Sequence, residues 1–543
     1  MEMNPIPKFH EEVSAKIPAL TLLTNLGYEF IPPAQVISMR ESMSSVVLVN
    51  VLREVLEKKT FEFQGKPHPL SEAATDKIIH QLANPAMNEG LKAANEKLYD
   101  ALTYGVGVTE FIDGKKVNPT IQVIDWENPE NNQYHFTEEF EVKNAHGTGK
   151  RIPDVVCFVN GLPWVVIEAK RPDSSHTGKP TIDEGVSQTI RNQKVDEIPH
   201  LFAYAQLVLS VNGHEGKYAT CGTPAKFWAK WKEESITESE FTKLKNLPLN
   251  ESQLDAIFAH RPTKLKPDYL SLIAGGDLTV TDQDRLLISL LKPERLLEMT
   301  RLFTLFDQKA GKIVARYQQV FGIKALVERI TTFDEKDARN GGVIWHTTGS
   351  GKSFTMVFLA KALIWLKELA KCRVVVVTDR VDLENQLSTT FASGGALSHK
   401  DKQAAMATTG RRLAQQIGKG NERIIFSIIN KFGTAVNMPD CYNDSKDMIV
   451  LIDEGHRSQS GENNIRMKQT LPNAAFVAFT GTPLLQDDKT ENKFGKIIHS
   501  YTMQQAVQDG TVTPLLYEER IPELTFKSQL LKILKVVRDV MCN

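Results

Sequence analysis

The feature that most constrains the fold of this chain is a short glycine-containing loop between an apolar run and a long helical pattern. Residues 343–345 are apolar, residues 346–353 read His-Thr-Thr-Gly-Ser-Gly-Lys-Ser, and residues 354–369 have helical spacing. Strand, glycine loop and helix in this order are typical of a phosphate-binding loop. The strict pattern has glycine where this chain has His346, so the match is to a variant loop, and a plain strand–turn–helix is the alternative.

The residues of this loop suit phosphate because of their backbone freedom and their charge. Glycine at positions 349 and 351 lets the backbone turn its N–H groups toward phosphate oxygens. Lys352 is expected to reach the β- and γ-phosphates, and Ser353 to place its hydroxyl on Mg²⁺. The loop residues predicted to bind nucleotide are Thr348, Gly349, Ser350, Gly351, Lys352 and Ser353.

Four apolar runs after the loop read as buried parallel strands of a sheet flanked by helices. They span residues 374–377, 424–429, 448–452 and 475–479. The third run ends in Asp-Glu-Gly-His and the fourth in Thr-Gly-Thr-Pro. Ligands bind at the carboxyl ends of strands in such sheets, so Asp453 is expected to hold Mg²⁺ and Glu454 to orient the attacking water. A cap of the following helix is the alternative for this pair.

In the first half of the chain, two apolar runs flank the Asn-Gly pair at 160–161, which is a strong signal for a β-hairpin. The polar exceptions in these runs are Asp154, Glu168 and Lys170. Glu168 and Lys170 are two apart on a strand and therefore share a face. An acid inside an apolar strand is costly unless it binds something, so the hairpin is a candidate site.

The register of this hairpin decides whether its two acids meet. A two-residue loop with regular pairing would place Asp154 opposite Ile167 and turn Glu168 to the other face. A three-residue loop or one bulge places Asp154 opposite Glu168 and brings the polar groups onto one face. Because Pro163 cannot donate a ladder hydrogen bond, we predict this second register.

Two carboxylates and a lysine on one sheet face suit Mg²⁺-assisted hydrolysis of a phosphodiester. Asp154 and Glu168 are expected to hold the metal, and Lys170 to position the attacking water and screen the scissile phosphate. A surface hairpin with a structural ion pair is the alternative. Residues 226–232 interleave aromatic and basic side chains, for which packing against the protein is favoured over contact with nucleic acid.

Composition and charge limit the classes of protein to which this chain can belong. The chain has 543 residues, 65 Lys and Arg, 66 Asp and Glu, and a formal net charge of −1. Hydrophobic residues at 41% rule out wholesale disorder, and any surface for nucleic acid must be a local patch. We see no apolar run of membrane length and no secretory signal. Five scattered cysteines form no zinc pattern, so a cytoplasmic setting is expected.

The second half resembles superfamily-two helicases and translocases, which have a RecA-like parallel sheet. HTTGSGKS, DEGH and TGTP look like their motifs I, II and III, although the family has alanine where this chain has Gly455. The likeness implies ATP as a cofactor, with His456 in the nucleotide site. Residues 316–319, Arg-Tyr-Gln-Gln, resemble the adenine-reading motif; Gln319 is favoured as the base contact and Gln318 is the alternative, or the stretch is an ordinary helix start.

The same likeness assigns two further residues to DNA. Thr378-Asp379-Arg380 resembles the motif that touches the DNA backbone, which makes Asp379 and Arg380 candidate contacts. An ordinary Asp–Arg pair at the surface is the alternative.

The first half resembles the PD-(D/E)xK nucleases through Pro153-Asp154 and Glu168-Ala169-Lys170. Many relatives carry a QxxxY element on the next helix. Gln188 matches it, but the tyrosine position is Asn192. Gln188 or Arg191 is expected to contact the DNA backbone, and an ordinary solvated helix face is the alternative.

A nuclease followed by this kind of ATPase resembles the restriction (motor) subunit of type I restriction–modification enzymes. The likeness implies cleavage of unmodified double-stranded DNA after ATP-driven translocation. It also implies methyltransferase (M) and specificity (S) subunits as partners, S-adenosylmethionine used only by that partner complex, and no membrane.

The expected organisation is α/β and multidomain. It comprises a PD-(D/E)xK nuclease domain at 1–235, a helical connector at 236–305, a first RecA-like domain at 306–520 and a tail at 521–543. About 60 residues follow Pro483, fewer than the roughly 150 of a second motor lobe. We therefore expect a fragment or a truncated product that binds nucleotide, with little or no ATP turnover and no translocation by this chain alone. Two other functions remain open: a DNA-repair helicase with a vestigial nuclease fold, and a non-catalytic module that binds DNA and partners.

Overall fold

The computed structural model of the protein describes residues 11–172, 181–276, 278–394, 396, 398–454, 461–482 and 494–513. Within these ranges the fold is mixed α/β, with two six-stranded sheets joined by a group of helices. No helix in the described ranges has the length and apolar character needed to cross a bilayer. His456, Pro483 and the tail at 521–543 lie outside the described residues.

The N-terminal region begins with a π-helical turn, Glu12–Lys16, and contains seven α-helices and fourteen strands in its described part. The helices are α1 (Ile17–Asn25), α2 (Pro33–Ser38), α3 (Val49–Glu57), α4 (Glu72–Ala83), α5 (Leu91–Tyr104), α6 (Thr181–Asn192) and α7 (Pro199–Phe202). The strands are β1 (Glu29–Phe30), β2 (Thr60–Phe63), β3 (Lys66–Pro69), β4 (Val106–Gly107), β5 (Glu110–Ile112), β6 (Lys115–Val117), β7 (Thr120–Ile121), β8 (Tyr134–Glu138), β9 (Val142–Lys143), β10 (Lys150–Arg151), β11 (Val155–Val159), β12 (Leu162–Ala169), β13 (Leu207–Val211) and β14 (Gly216–Ala219).

The main sheet of this region has the order β1-β8-β11-β12-β13-β14. β11 runs antiparallel to both β8 and β12, whereas β12 and β13 are parallel. Every residue of β11, β12 and β13 is buried, which explains why their sequences are continuous apolar runs instead of alternating ones. The buried sheet gives the polar residues at its edge a rigid support.

The predicted hairpin register is confirmed. The pairs are Val155 with Ile167, Cys157 with Val165, and Phe158 with Pro163. Trp164 is therefore an extra residue on β12, a β-bulge that follows a two-residue turn. Continued beyond Val155, this pairing brings Asp154 opposite Glu168, on the face that Lys170 shares.

In the described part of the chain, five helices lie between the two sheets. They are α8 (Glu238–Lys245), α9 (Glu251–Phe258), α10 (Leu265–Gly275), α11 (Asp282–Leu291) and α12 (Pro293–Arg301). Thr237, Asn250 and Thr281 each accept a hydrogen bond from the backbone three residues on, which fixes where α8, α9 and α11 begin. α11 packs on α1, so the connector supports the start of the chain.

The C-terminal region contains the second six-stranded sheet. The strands of this region are β15 (Thr304–Asp307), β16 (Gly311–Val314), β17 (Gly342–His346), β18 (Arg373–Thr378), β19 (Ile424–Ile428), β20 (Met448–Asp453), β21 (Ala475–Thr480) and β22 (Ile497–Tyr501). β15 and β16 form a separate two-stranded sheet, and the other six form the large one. Its helices are α13 (Tyr317–Ile330), α14 (Lys352–Trp365), α15 (Val381–Ser393), α16 (His399–Ala405), α17 (Gly410–Lys419), α18 (Asn430–Ala435), α19 (Gly461–Thr470) and α20 (Met503–Gln508). The order β19-β18-β20-β21-β17-β22 is parallel throughout, which is the arrangement of a RecA-type lobe.

All five strands predicted in the second half are present within a few residues of the expected bounds. One helix in the first half is not where its spacing places it. The pattern predicts a helix over 85–98 capped by Asn84, but α5 begins at Leu91 and Asn84 ends α4. Gly90 has φ of 88°, so the chain turns there in a conformation that glycine adopts without strain.

Candidate functional site

The three polar residues of the first hairpin meet on one face of the N-terminal sheet. The Lys170 Nζ atom lies 3.2 Å from Asp154 Oδ2 and 3.6 Å from Glu168 Oε2. The Ala169 N–H also donates to Asp154 Oδ2 at 2.8 Å, which fixes that carboxylate against the end of β12. The Glu168 side chain is fully buried, whereas Asp154 and Lys170 are 13% and 14% exposed. The cluster therefore opens to solvent only on the Asp154 and Lys170 side.

Burial and neighbouring charge set the protonation of this cluster. Burial, and then the nearby Asp154 carboxylate, raises the pKa of Glu168 well above its usual range. Burial opposes the charged form of Lys170, but the Asp154 and Glu168 carboxylates outweigh it and raise the pKa of Lys170. Two acids this close favour a bound cation or proton over two free negative charges.

Helix α6 lies over Glu168 because a glycine allows close approach. A Cβ atom on Gly185 would lie 2.2 Å from Ser210 Oγ on β13, a distance no real contact has. Gln188 and Asn192 follow on the same face of the helix. Gln188 Nε2 donates to Glu168 Oε2 at 2.7 Å, and Asn192 Nδ2 lies 3.4 Å from Glu168 Oε1. The helix thus holds both oxygens of the buried carboxylate.

The two residues predicted on α6 to contact DNA have different surroundings. Gln188 is engaged with Glu168, while Arg191 is exposed and its guanidinium donates to Asn192 Oδ1 at 3.2 Å. Asn192, at the position where relatives were expected to have tyrosine, joins the hydrogen-bond group around Glu168. Their contacts with DNA stay predictions.

Glu11 is a further acidic residue at this site, and sequence reasoning missed it. Burial raises the pKa of its carboxyl, which the charges of Lys170 and Asp154 also influence. Glu11 lies just before the π-helical turn, more than 140 positions from Asp154 in the chain. No local pattern marks it, since the Glu11-Glu12 pair before a helix reads as ordinary N-terminal charge.

In the C-terminal lobe, the glycine loop joins β17 to α14 in the predicted order. Gly349 and Gly351 have φ of 85° and 90°, in the left-handed region that favours glycine. Ser350 Oγ donates to the Thr347 carbonyl at 2.6 Å, and the Thr347 N–H donates to the Tyr501 carbonyl at 2.9 Å. The loop is therefore held by a hydrogen bond between two of its own residues and by one to the backbone of β22.

The strand ends bring charged residues to this loop. Lys352 Nζ lies 3.4 Å from Glu454 Oε1 and 3.5 Å from the His346 carbonyl oxygen. The Glu454 N–H donates to Asp453 Oδ1 at 3.1 Å. Burial, and then the charge of Glu454, raises the pKa of Asp453 to about 6. Ser353 is half-buried in the first turn of α14. These residues can hold a phosphate and a cation together.

The turn after β21 packs directly on the same loop. A Cβ atom on Gly481 would lie 2.7 Å from Thr348 Oγ1 and 3.3 Å from Lys352 Nζ. The Trp345 indole N–H donates to the Gly481 carbonyl at 3.2 Å. The structure therefore brings together the described parts of the three motif-like stretches that are distant in sequence.

Gln319 lies against the loop, as a nucleotide-binding residue would. Its Nε2 atom is 3.2 Å from both the Gly351 carbonyl oxygen and Thr355 Oγ1, and its Oε1 accepts from the Arg316 N–H at 2.9 Å. Gln318 is buried, and neither polar atom of its amide has a partner within the described part of the chain. Both glutamines stay candidates, with Gln319 the one in contact with the loop.

Asp379 and Arg380 directly follow β18, at the same edge of the sheet. Arg380 is 65% exposed, and its Nε atom lies 3.8 Å from Asp379 Oδ2. The Asp379 carboxylate, 19% exposed, adds to the negative field that acts on Asp453. Arg380 is thus the residue of this pair that a DNA backbone can reach.

Two family models match separate parts of the chain. A model described as "Type I restriction enzyme R protein N terminus" matches residues 8–227, and a model of the SWI2/SNF2 ATPase matches residues 318–540. Among solved structures, the Pyrococcus furiosus Hef helicase domain covers 33% of this chain and 35% of its own at 17% identity. Its TM-score of 0.25 is too low to support any argument.

Two curated relatives align with nearly the whole chain. The putative type I restriction enzyme MjaIXP endonuclease subunit of Methanocaldococcus jannaschii is 30% identical over 97% of this chain and 48% of its own length. The type I restriction enzyme HindI endonuclease subunit of Haemophilus influenzae is 31% identical over 93% of this chain and 46% of its own. The chain thus spans about half the length of the relatives it matches. On the two family models and these relatives together, the chain is similar to type I restriction enzyme R subunits over nearly its whole length.

Proposed function

We propose that this chain carries the nuclease centre and the first nucleotide-binding lobe of an ATP-dependent endonuclease that cuts unmodified double-stranded DNA. The observation that carries the proposal is the position of Lys170 Nζ, 3.2 Å from Asp154 and 3.6 Å from Glu168, at the edge of a buried sheet. Such a group is typical of a PD-(D/E)xK nuclease domain. Its position ahead of a RecA-type lobe matches the order in type I restriction enzymes.

The hairpin residues suit a divalent cation. Among the described residues, no group of three or more His, Cys, Asp and Glu side chains is arranged to enclose a metal. Mg²⁺ needs no such enclosure, because it is commonly held by one or two carboxylates with water and phosphate oxygens. Asp154 and Glu168 would supply these carboxylates. A cation there lowers the pKa of bound water and offsets charge that develops on the phosphate.

Each protein group has a distinct part in this proposed hydrolysis. Gln188 and Asn192 hold the Glu168 carboxylate in place beside Lys170. Lys170 keeps its positive charge, since the pKa of its ammonium is raised, and it can orient the attacking water and attract the scissile phosphate. Asp154, fixed by the Ala169 N–H, provides the second oxygen ligand.

The second site is proposed to bind ATP with Mg²⁺. Lys352 and the N–H groups of the loop suit the phosphates, and Ser353 and Asp453 suit the metal. Glu454 is placed to orient water toward the terminal phosphate. Gln319 would contact the adenine. His456 would complete the site by the same likeness, but it lies outside the described residues.

The proposal extends to partners that relatives in this family imply. Double-stranded DNA would contact Gln188 and Arg191 near the first site, and Asp379 and Arg380 near the second. Methyltransferase (M) and specificity (S) subunits would read the target, with S-adenosylmethionine used by that complex in the cytoplasm. We propose domain boundaries at 1–235, 236–305 and 306–520, with a tail at 521–543.

Plasmid cleavage and ATP hydrolysis by the complete protein with its partners test this function. Asp154→Ala should abolish cleavage and leave ATP hydrolysis intact, since its site is separate from the glycine loop. Lys352→Ala should abolish both, since cutting depends on translocation. Glu89→Gln, a surface residue paired with Lys97, is the matched control. Undiminished cleavage by Asp154→Ala would refute the nuclease assignment.

A further inference from the structure

A chain of polar side chains connects the phosphate loop to the segment that follows the N-terminal region. His346 Nε2, at the start of the loop, lies 2.9 Å from His499 Nδ1 on β22. His499 Nε2 lies 3.1 Å from Glu234 Oε2. The exposed fraction of these three side chains falls from 39% at Glu234 to 10% at His499 and 0% at His346. The hydrogen-bonded series thus runs from the surface to the loop.

The chemistry of the acceptors decides which nitrogen donates in each hydrogen bond of the series Glu234, His499, His346. An ionised carboxylate only accepts, so His499 Nε2 must carry a proton and donate to Glu234. With His499 neutral, its Nδ1 is an acceptor, and His346 Nε2 must then be the donor. Burial lowers the pKa of His346 to about 3, so this ring is neutral at pH 7. Glu234 therefore selects the proton positions on both rings.

The segment that carries Glu234 is fixed in place. The Trp231 ring packs 5.7 Å from the Tyr218 ring of the N-terminal sheet and 5.6 Å from the Phe321 ring on α13. Lys232 Nζ pairs with Asp509 Oδ1 at 2.5 Å. Residues 231–234 are thus anchored on both the N-terminal region and the C-terminal lobe.

His346, at the buried end of this hydrogen-bonded series, is the residue that departs from the strict loop pattern. His346 occupies the place of the first glycine, and its ring fits where α13 has no side chain. A Cβ atom on Gly322 would lie 3.2 Å from His346 Cε1 and Nε2. The carbonyl oxygen of His346 is 3.5 Å from Lys352 Nζ. The orientation of the His346 ring therefore influences the backbone position of the first loop residue, and through its carbonyl oxygen the position of Lys352.

We propose that Glu234, His499 and His346 form a positioning relay through which the segment after the N-terminal region sets the affinity of the phosphate loop for nucleotide. This inference rests on the proposed nucleotide site. None of the three residues acts as a catalytic group, because each acts through the loop backbone. The relay gives the nucleotide site a physical link to the segment that the N-terminal sheet anchors.

Binding of a fluorescent, non-hydrolysable ATP analogue with Mg²⁺ to this chain tests the relay. Glu234→Gln and His499→Phe should each weaken binding about 3- to 10-fold, the effect of losing one hydrogen bond. His499→Asn keeps an acceptor for His346 and should recover part of the affinity. Because the residues act in series, the Glu234→Gln/His499→Phe double variant should bind no more weakly than His499→Phe.

Controls separate this test from the proposed function and from misfolding. Lys352→Ala should lose binding, and failure of the unaltered chain to bind would overturn the nucleotide site and the relay together. Glu29→Gln, at the separate His135–Glu29 pair of 3.8 Å, should bind normally. Thermal unfolding without nucleotide checks that each variant is folded. Normal binding by Glu234→Gln and His499→Phe, or additive losses in the double variant, would overturn the relay alone.

Discussion

Lys361 Nζ, on the helix that follows the phosphate loop, donates a 2.6 Å hydrogen bond to the Tyr99 hydroxyl on α5 of the N-terminal region. A second buried lysine, Lys312, donates to the Ala205 carbonyl at 3.0 Å. Burial lowers the pKa of both ammonium groups to about 7. Neither lysine forms an ion pair within the described ranges. The contact between the two regions therefore contains two lysines that are readily neutral.

Because the pKa of these lysines is lowered, we expect the free energy of unfolding to increase as pH rises. The pKa of Lys361 is about 7 in the folded protein and about 10.4 in an unfolded chain. Between these values the unfolded state binds more protons, so the free energy of unfolding rises with pH. The gain from pH 7 to pH 10 is up to roughly 4 kcal/mol for Lys361. Denaturant unfolding of the unaltered chain and of Lys361→Met, across this range, measures it.

Comparison with Lys361→Met separates the contribution of Lys361 from those of other groups that titrate in the same pH range. Lys361→Met should unfold with a shallower dependence on pH than the unaltered chain, and the two curves should converge toward pH 10. Parallel curves would mean that Lys361 stays protonated in the folded state, and would contradict a lowered pKa for this lysine.

Gly185→Ala should impair cleavage without affecting nucleotide binding. The added Cβ would meet Ser210 Oγ at 2.2 Å and Ser210 Cβ at 3.2 Å, so α6 must move away from Glu168 and take Gln188 with it. We expect cleavage to fall about 10- to 100-fold, because small displacements at a catalytic centre are costly. Adding Ser210→Ala removes the closer clash and should restore part of the activity.

Gly107→Ala is the matched control for this substitution, because a Cβ atom there meets nothing within 4 Å. It should cleave plasmid at the rate of the unaltered protein. If Gly185→Ala also cleaves at that rate, close packing of α6 is not what positions Glu168.

Glu168→Gln should stabilise the metal-free chain while it abolishes cleavage. Because the pKa of Glu168 is raised by burial and by Asp154, its charged form destabilises the fold at pH 7. The amide has the same shape and no charge. Thermal unfolding at pH 7 in the presence of a chelator should show a Tm higher by about 2–4 °C. At pH values near the unfolded pKa the difference should shrink, and a lower Tm at pH 7 would contradict this prediction.

Glu11→Gln should raise the Mg²⁺ concentration needed for cleavage. Its carboxyl acts electrostatically on Lys170 and Asp154, so its removal makes the site less negative. We expect a loss of about 10-fold in rate at limiting Mg²⁺, near 1.4 kcal/mol, and recovery at high Mg²⁺. Glu12→Gln, whose carboxylate instead pairs with Arg261 at 2.6 Å, is the neighbouring control. Equal Mg²⁺ dependence in the two variants would remove Glu11 from the site.

The C-terminal lobe was largely predictable from sequence because its strands are continuous apolar runs with polar residues at their ends. Asp453 and Thr480 end neighbouring strands, and in a parallel sheet neighbouring carboxyl ends lie at one edge. The hairpin register was also predictable, since only one parity gathers Asp154, Glu168 and Lys170. These inferences depend on local periodicity, which a sequence displays directly.

Other parts of the site depend on contacts that no local pattern displays. Glu11, His499 and Glu234 each reach their sites through tertiary packing across more than 100 positions. The start of α5 was mispredicted because Pro85 suits a first helical turn, whereas Gly90 with its positive φ begins the helix. Trp164 was not identified as the bulge residue, because a bulge is fixed by pairing with the partner strand.

Binding of Mn²⁺ to this chain, without nucleotide and followed by electron paramagnetic resonance, distinguishes a metal centre at the hairpin from one at the glycine loop. We expect a Mn²⁺ site that is lost in Asp154→Ala and in Glu168→Ala and retained in Lys352→Ala. Mn²⁺ binding that survives both carboxylate substitutions, or that disappears only with Lys352→Ala, would contradict a separate metal centre at the hairpin.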